Sequence, residues 1–176
     1  MLPLLFCAVA FAAVPSVESI LNRMASSTPP DTSEYRSVTS VRIGEVTTRV
    51  SMHVIECGKS LRWMELDAGG RQSRIVTNGG RSLLTDLETN TTMAMPAPEG
   101  EGDRIVAMKN LAASRWSEPR ALEGSLWRLK QLDIEEAGIL SRSMVWDEAA
   151  GEARSLEQIG RKGDTTRIDF TWMRTG

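Results

Sequence analysis

The chain has 176 residues, of which 41% are hydrophobic and 25% are charged, and its formal net charge is −2. This composition is typical of a soluble globular protein and excludes an intrinsically disordered chain, and the length is that of one domain. Nucleic acid is not expected as a partner, because phosphate binding requires clustered Lys and Arg and the chain has no basic excess.

The first residues form an uncharged apolar run, MLPLLFCAVAFAAV. The run is too short to span a membrane but fits the hydrophobic part of a secretory signal, with Ala10-Phe11-Ala12 as a small-x-small cleavage motif. We therefore expect an export signal over residues 1–13 and a single mature domain over residues 14–176. Lipidation at Cys7 is not expected, since Phe6 is a poor residue to precede a lipid-modified cysteine.

One amphipathic helix follows this run. Ser16 is a good N-cap, and the segment ends before the loop sequence Thr28-Pro29-Pro30. Apolar residues recur at helical spacing along one side, at Val17, Ile20, Leu21 and Met24.

Nearly all of the remaining chain has the alternation of apolar and polar residues that predicts strands, and residues 46–57 show it most clearly. A second helix is expected over residues 103–114. The other predicted strands cover residues 35–43, 60–66, 72–77, 81–86, 91–95, 122–132, 139–146, 153–159 and 165–173. An antiparallel sheet of about ten strands twists and curls. The predicted fold is α+β and β-dominated: a strongly curved sheet covered by the two helices.

Several local patterns occur together along these strands. The first is a basic–apolar–acidic strand, Arg62-Trp63-Met64-Glu65, followed by an apolar hairpin that turns at Asn78-Gly79-Gly80. Met93-Ala94-Met95-Pro96 is a Met-Pro ending, and Val145-Trp146-Asp147 is a Trp-Asp turn. These patterns are similar to those of the LolA/LolB-like superfamily of periplasmic lipoprotein carriers. The chain departs from the superfamily pattern at Asn78, where Asp is usual, and in having Leu83-Leu84 in place of an aromatic residue.

This resemblance implies an N-terminal helix and a half-barrel of antiparallel strands over an apolar cavity. It also implies a periplasmic carrier or sorting protein that holds the acyl chains of a lipid or lipoprotein and performs no chemistry. The alternative is a non-catalytic envelope interaction or sensor module with a filled core, which would bind another envelope protein. We expect a monomer in either case.

The residues expected to line the cavity are aliphatic, Met and aromatic side chains from several strands. Met in particular adapts its shape to flexible ligands. An ordinary dry core beneath the helices would use the same residues. The set consists of Val46, Val50, Met52, Val54, Ile75, Leu83, Met93, Met95, Ile168, Phe170 and Trp172.

No catalytic residue, metal ligand or cofactor site is predicted. His53 is the only histidine, and the sequence contains no G-x-S-x-G motif that would place a nucleophile near it. The spacings H-x-x-H, C-x-x-C and that of an EF-hand loop do not occur either. We therefore expect a protein that is not an enzyme.

Overall fold

The computed structural model describes residues 14–26, 32–57, 61–96 and 110–175. The predicted signal over residues 1–13 and most of the predicted helix over 103–114 lie outside these residues. The helix α1 spans Val17–Ser26, and residues 110–113 are also helical. The strands are β1 (Thr32–Ile43), β2 (Val46–Cys57), β3 (Leu61–Ala68), β4 (Arg71–Asn78), β5 (Arg81–Asp86), β6 (Thr91–Pro96), β7 (Arg120–Ala121), β8 (Leu126–Lys130), β9 (Ile139–Asp147), β10 (Glu152–Gly160) and β11 (Thr165–Thr175).

The strands form one 11-stranded antiparallel sheet in the order β6-β5-β4-β3-β2-β1-β11-β10-β9-β8-β7. Strands that are consecutive in the sequence pair with each other, except that β6 does not pair with β7. In addition, β1 pairs with β11. The first and last strands therefore lie side by side at the middle of the sheet, and among the described residues β6 and β7 are its two edge strands. The predicted β-dominated fold with an N-terminal helix is confirmed.

One predicted strand is shorter than expected because a turn interrupts it. Of the predicted strand over residues 122–132 only β8 (Leu126–Lys130) forms, and a turn at Gly124 separates it from the short strand β7. Gly124 has a φ of +64°, a conformation that glycine adopts without strain. The hairpin turn predicted at Asn78-Gly79-Gly80 is confirmed, since it joins β4 to β5 and both glycines have positive φ, as a type I′ hairpin turn requires.

The hydrophobic core lies between α1 and one face of the sheet, which we call the inner face. Ile20 and Met24 from the helix pack with Leu129, Met144 and Trp146 from β8 and β9. Leu111, Trp116 and Ala153 complete this buried cluster. The register extends the inner face across the sheet, since side chains at paired positions lie on the same side of neighbouring strands. The opposite side is the outer face.

Hydrogen bonds fix α1 in place at both of its ends. At the start, the backbone N–H of Ser19 donates to Ser16 Oγ at 3.0 Å, which confirms the predicted N-cap. Near the end, Arg23 forms an ion pair with Glu148 at 3.0 Å and donates to the Glu148 carbonyl oxygen at 3.3 Å. The Trp146 indole N–H donates to the same Glu148 side chain at 3.0 Å. The helix is thus tied to the turn between β9 and β10.

Asp147 organises that turn. Its Oδ1 accepts from the Ser125 hydroxyl at 2.7 Å, and its Oδ2 accepts from Arg154 Nη2 at 2.8 Å. The register shifts between Ala153 and Ser155, and this bulge contains Arg154. Burial would raise the pKa of Asp147, but the hydrogen bonds from Ser125 and Arg154 outweigh it, so the pKa lies below its ordinary value.

Candidate functional site

A cleft of about 460 Å³ opens on the inner face between residues 110–114 and strands β9 to β11. It lies directly beside the buried core, since Leu111 belongs to both and Leu156, in the lining of the cleft, packs against the core. Its lining mixes apolar and polar side chains: Asn110, Leu111, Ser114, Gln131, Glu136, Arg142, Leu156, Glu157, Gln158, Thr166 and Ile168.

The wall formed by residues 110–114 is held to the sheet by side-chain hydrogen bonds. The Trp116 indole N–H donates to the Leu111 carbonyl oxygen at 2.8 Å, and Gln131 Nε2 donates to Ser114 Oγ at 3.2 Å. The backbone N–H of Arg115 donates to Asp133 Oδ2 at 3.0 Å. This last bond is the main reason that the pKa of Asp133 lies below its ordinary value, against the opposite effect of burial.

The floor of the cleft consists of two neighbouring rows of side chains that cross the strands. In the polar row, Arg142 on β9 is paired with Gln158 on β10, which is paired with Thr166 on β11. In the apolar row, Met144 is paired with Leu156, which is paired with Ile168. Because these positions differ by two residues along each strand, both rows face the same side of the sheet.

Arg142 is the centre of the polar row. Its Nη1 donates to Gln131 Oε1 at 2.9 Å, and its Nη2 donates to Gln158 Oε1 at 2.9 Å. Nη2 also lies 3.0 and 3.1 Å from the two carboxylate oxygens of Glu136. The guanidinium is therefore held in a defined orientation beside the apolar row.

The residues predicted to line a cavity are not gathered in one pocket, and most of them are distributed along the inner face. Among those whose side chains the structure describes, Ile168 alone lines the cleft. Val54 is fully buried, and Val50, Met52, Ile75 and Phe170 are partly buried. Val46, Met93 and Met95 share the inner face but are exposed, and the backbone of Trp172 pairs with Tyr35. That any of them binds acyl chains stays a prediction.

The placement of Leu83 with this set is wrong. The tight hairpin between β4 and β5 pairs Ile75 with Leu84 and Val76 with Leu83. Since side chains alternate along a strand, Leu83 lies on the outer face, where it is 47% exposed. Leu84 occupies the inner-face position, in the row that continues to Met93 on β6.

His53 lies on the outer face, away from the cleft. Its Nε2 is 2.9 Å from Glu34 Oε1, and its ring meets Trp63 edge to face at a centroid distance of 5.3 Å. Arg74 lies over the same indole and forms an ion pair with Glu65 at 2.7 Å. These contacts account for His53 as part of a cross-strand cluster of charged and aromatic side chains.

Within the described ranges, no group of three or more His, Cys, Asp and Glu side chains could hold a metal ion. The described part of the chain also has no helix that is long and apolar enough to cross a membrane.

The polar row of the cleft was not predicted from the sequence. A signal for it exists in the alternation of the last strands, because Arg142 and Gln158 occupy positions that share a face with Met144 and Leu156. Polar residues at positions of an otherwise apolar inner face indicate either a solvated end of the strand or a binding site. Only the pairing of the strands brings them together.

No family model and no curated protein matches this chain. Solved structures do match. A chain of the Pseudomonas aeruginosa MucA/MucB complex is 16% identical, with 91% of this chain and 57% of that chain covered and a TM-score of 0.52. A crystal structure of MucB is 14% identical over 91% of this chain and 58% of that one, with a TM-score of 0.50. A LolA superfamily protein from Nitrosomonas europaea is 8% identical over 92% and 95%, with a TM-score of 0.43.

The architecture described above has the N-terminal helix and the long antiparallel sheet that the sequence resemblance implied. The chain has a fold similar to that of MucB, and its resemblance to the LolA superfamily is one of fold alone. The chain spans just over half the length of the MucB chains that it matches.

Proposed function

We propose that this protein is a periplasmic binding protein that holds an acyl chain of a lipid or lipoprotein against its inner face and carries out no chemistry. The observation that supports the proposal most is the cleft of about 460 Å³ next to the helix-covered core. It is of the size of small-molecule pockets, and Leu111, Leu156 and Ile168 give it an apolar side. Export through a signal over residues 1–13 is part of the same proposal.

The inner face also provides a path for a chain longer than the cleft. The apolar row of the cleft continues from Ile168 through Thr39 to Val50 on β2. Phe170 and Met52 lie in the next row, on either side of Ser37. An acyl chain that left the cleft along β11 would therefore meet partly buried apolar side chains, several of them in the predicted set.

Binding of this kind depends on apolar burial, which contributes about 0.8 kcal/mol for each buried methylene group. We expect the affinity for a series of single-chain amphiphiles to increase about fourfold with each added methylene and to reach a plateau when the cleft is filled. The measurement is displacement of a fluorescent acyl probe from the purified mature protein. Absence of uptake for every chain length would overturn the proposal.

A matched pair of variants locates the site. Ile168→Asp places a charge in the cleft, whereas Thr171→Asp places the same charge on the exposed outer face of the same strand. We expect Ile168→Asp to abolish probe uptake and Thr171→Asp to retain it, with circular dichroism showing that both remain folded. Equal binding by both variants would place the ligand elsewhere.

A protein partner is the second candidate, and the open edge of the sheet favours it. All six residues of β6 are exposed, and an exposed edge strand can pair with an extended peptide. MucB, whose fold is similar, has been solved with MucA. The test is a pull-down from an envelope extract with the wild-type protein and with the β6 variant Ala94→Pro. Capture of a protein by the wild type that Ala94→Pro abolishes, together with the absence of acyl binding, would favour this candidate.

A further inference from the structure

The strongest feature that acyl binding leaves unexplained is the arginine at the floor of the cleft. The Arg142 side chain is only 17% exposed, and it lies beside the apolar row of Leu156 and Ile168. A cation in such surroundings is stable only with an anion or several hydrogen-bond acceptors next to it. A cavity used only for hydrocarbon would not require it.

The present partner of Arg142 comes from the surface. Glu136 places both carboxylate oxygens near Nη2, at 3.0 and 3.1 Å, yet its own side chain is 62% exposed. It lies in the turn before β9, where the Ile139 N–H donates to the Glu136 carbonyl oxygen at 3.2 Å. An ion pair with one partner so exposed contributes little to stability. A second anion could therefore replace the Glu136 carboxylate at small cost.

The other contacts of Arg142 come from neutral groups that orient it. The Gln131 amide nitrogen donates to Ser114 Oγ and to Asp133 Oδ1, both at 3.2 Å, so its oxygen is directed toward Arg142. Gln158 accepts from Nη2, the nitrogen that also contacts Glu136. These two amides orient the guanidinium independently of Glu136, and the contact that Glu136 makes with Nη2 is the one that another anion would take.

From this arrangement we propose that the cleft selects an anionic amphiphile, whose carboxylate or phosphate group replaces Glu136 at Arg142 while its chain lies on Leu156 and Ile168. The proposal rests on the proposed function, since it names the polar end of the ligand held at the same site. Carboxylate and phosphate oxygens both match the paired N–H groups of a guanidinium. The polar and apolar rows are adjacent, so one molecule can contact both.

The test compares dodecanoate, dodecyl phosphate and dodecanol, which share a chain and differ in the polar group. The two anions are used below their critical micelle concentrations and the alcohol below its solubility limit. Affinities are measured by displacement of a neutral fluorescent acyl probe. We expect the two anions to bind at least about tenfold more tightly than the alcohol, the usual effect of a charge-assisted hydrogen bond. The ratio of the two anion affinities then shows which headgroup chemistry the site prefers.

Two variants change this preference in opposite directions. Arg142→Met should reduce the anion-to-alcohol ratio to about one, while Glu136→Gln should increase it several-fold because the competing carboxylate is lost. Arg128→Met, on the exposed outer face of β8, removes the same charge and should leave the ratio unchanged. A ratio is used because it does not depend on the folded fraction of a destabilised variant.

The outcomes separate the two proposals. Equal affinity of the wild-type protein for all three amphiphiles would overturn the anion preference while acyl binding stands. If the Arg142→Met variant kept the preference for anions, the anion would be bound by another cation. That result would also overturn the anion preference proposed for Arg142. Failure of all three to bind would overturn both proposals.

Discussion

The inner face has two parts that share one pattern of alternation and differ in what covers them. Along β8 and β9, below α1, Leu129, Met144 and Trp146 are almost completely buried. Along β6, at the far end of the same face, Met93 and Met95 are 58% and 40% exposed. Alternation therefore determines which side chains share a face, but a covering element determines whether they become core.

The two parts also differ in how they are fixed. In the covered part, Arg23 joins α1 to Glu148 in the turn between β9 and β10, Trp146 donates to the same glutamate, and Asp147 accepts from Ser125 and Arg154. The β2–β6 part contributes no residue to the buried core cluster. The cleft adjoins the covered part, since Leu111 belongs to the core cluster and Leu156 packs against it, and the described strands β2 to β6 contribute no residue to its lining.

The largest expected effect comes from one substitution made in both parts. Met144→Ala removes a side chain that is 0% exposed and leaves a cavity under α1, so the free energy of unfolding should fall by about 2–5 kcal/mol. Met93→Ala, at an exposed position, should change it by less than about 0.5 kcal/mol. Urea denaturation measures both. A similar loss of stability in the two variants would mean that β6 is covered in solution, and the distinction between a covered and an uncovered part of the inner face would be wrong.

The second prediction tests the hydrogen bonds of the covered part. Asp147→Asn removes the carboxylate that accepts from Ser125 and Arg154, and we expect a loss of about 1–3 kcal/mol at neutral pH. The native pKa of Asp147 lies below its unfolded value, so this stabilisation is present above about pH 4 and is lost as the pH falls through the native pKa. The difference in free energy of unfolding between the wild type and Asp147→Asn should accordingly become smaller at acid pH.

Asp169→Asn is the matched control. Asp169 pairs with Arg167 at the surface, where both side chains are nearly half exposed. Such a pair contributes about 0–1 kcal/mol and is weakened by salt. If the two Asn variants lost equal stability, the network around Asp147 would be no stronger than a surface ion pair.

These differences show how far sequence reasoning reaches. The bounds of β2 and β5 follow directly from alternation and turn residues, since Val46–Cys57 and Arg81–Asp86 are found as predicted. The side of Leu83 could not be assigned in this way, because a hairpin register that differs by one residue reverses every side chain. The polar row around Arg142 depends on pairings between β8, β9 and β10, which the sequence of a single strand does not specify.

The smallest expected effect concerns a hydroxyl group on the inner face where the two parts meet. Ser37 is 2% exposed, and its Oγ has no hydrogen-bond partner among the described residues. A buried hydroxyl without a partner costs about 1–3 kcal/mol. We therefore expect Ser37→Ala to increase the free energy of unfolding of the ligand-free protein by about 1 kcal/mol, as measured by urea denaturation.

Ser82→Ala is the control for the sign of the change in the free energy of unfolding. Ser82 is equally buried on the same face, but its Oγ lies 2.8 Å from Thr77 Oγ1, so its removal should cost about 1 kcal/mol. Opposite signs in the two variants would show that Ser37 carries an unpaired hydroxyl beside Met52 and Phe170. If Ser37→Ala instead lost as much stability as Ser82→Ala, the hydroxyl would have a partner in solution. A loss that appeared only after an acyl ester was added would identify that partner as the ligand and extend the site from the cleft onto β1.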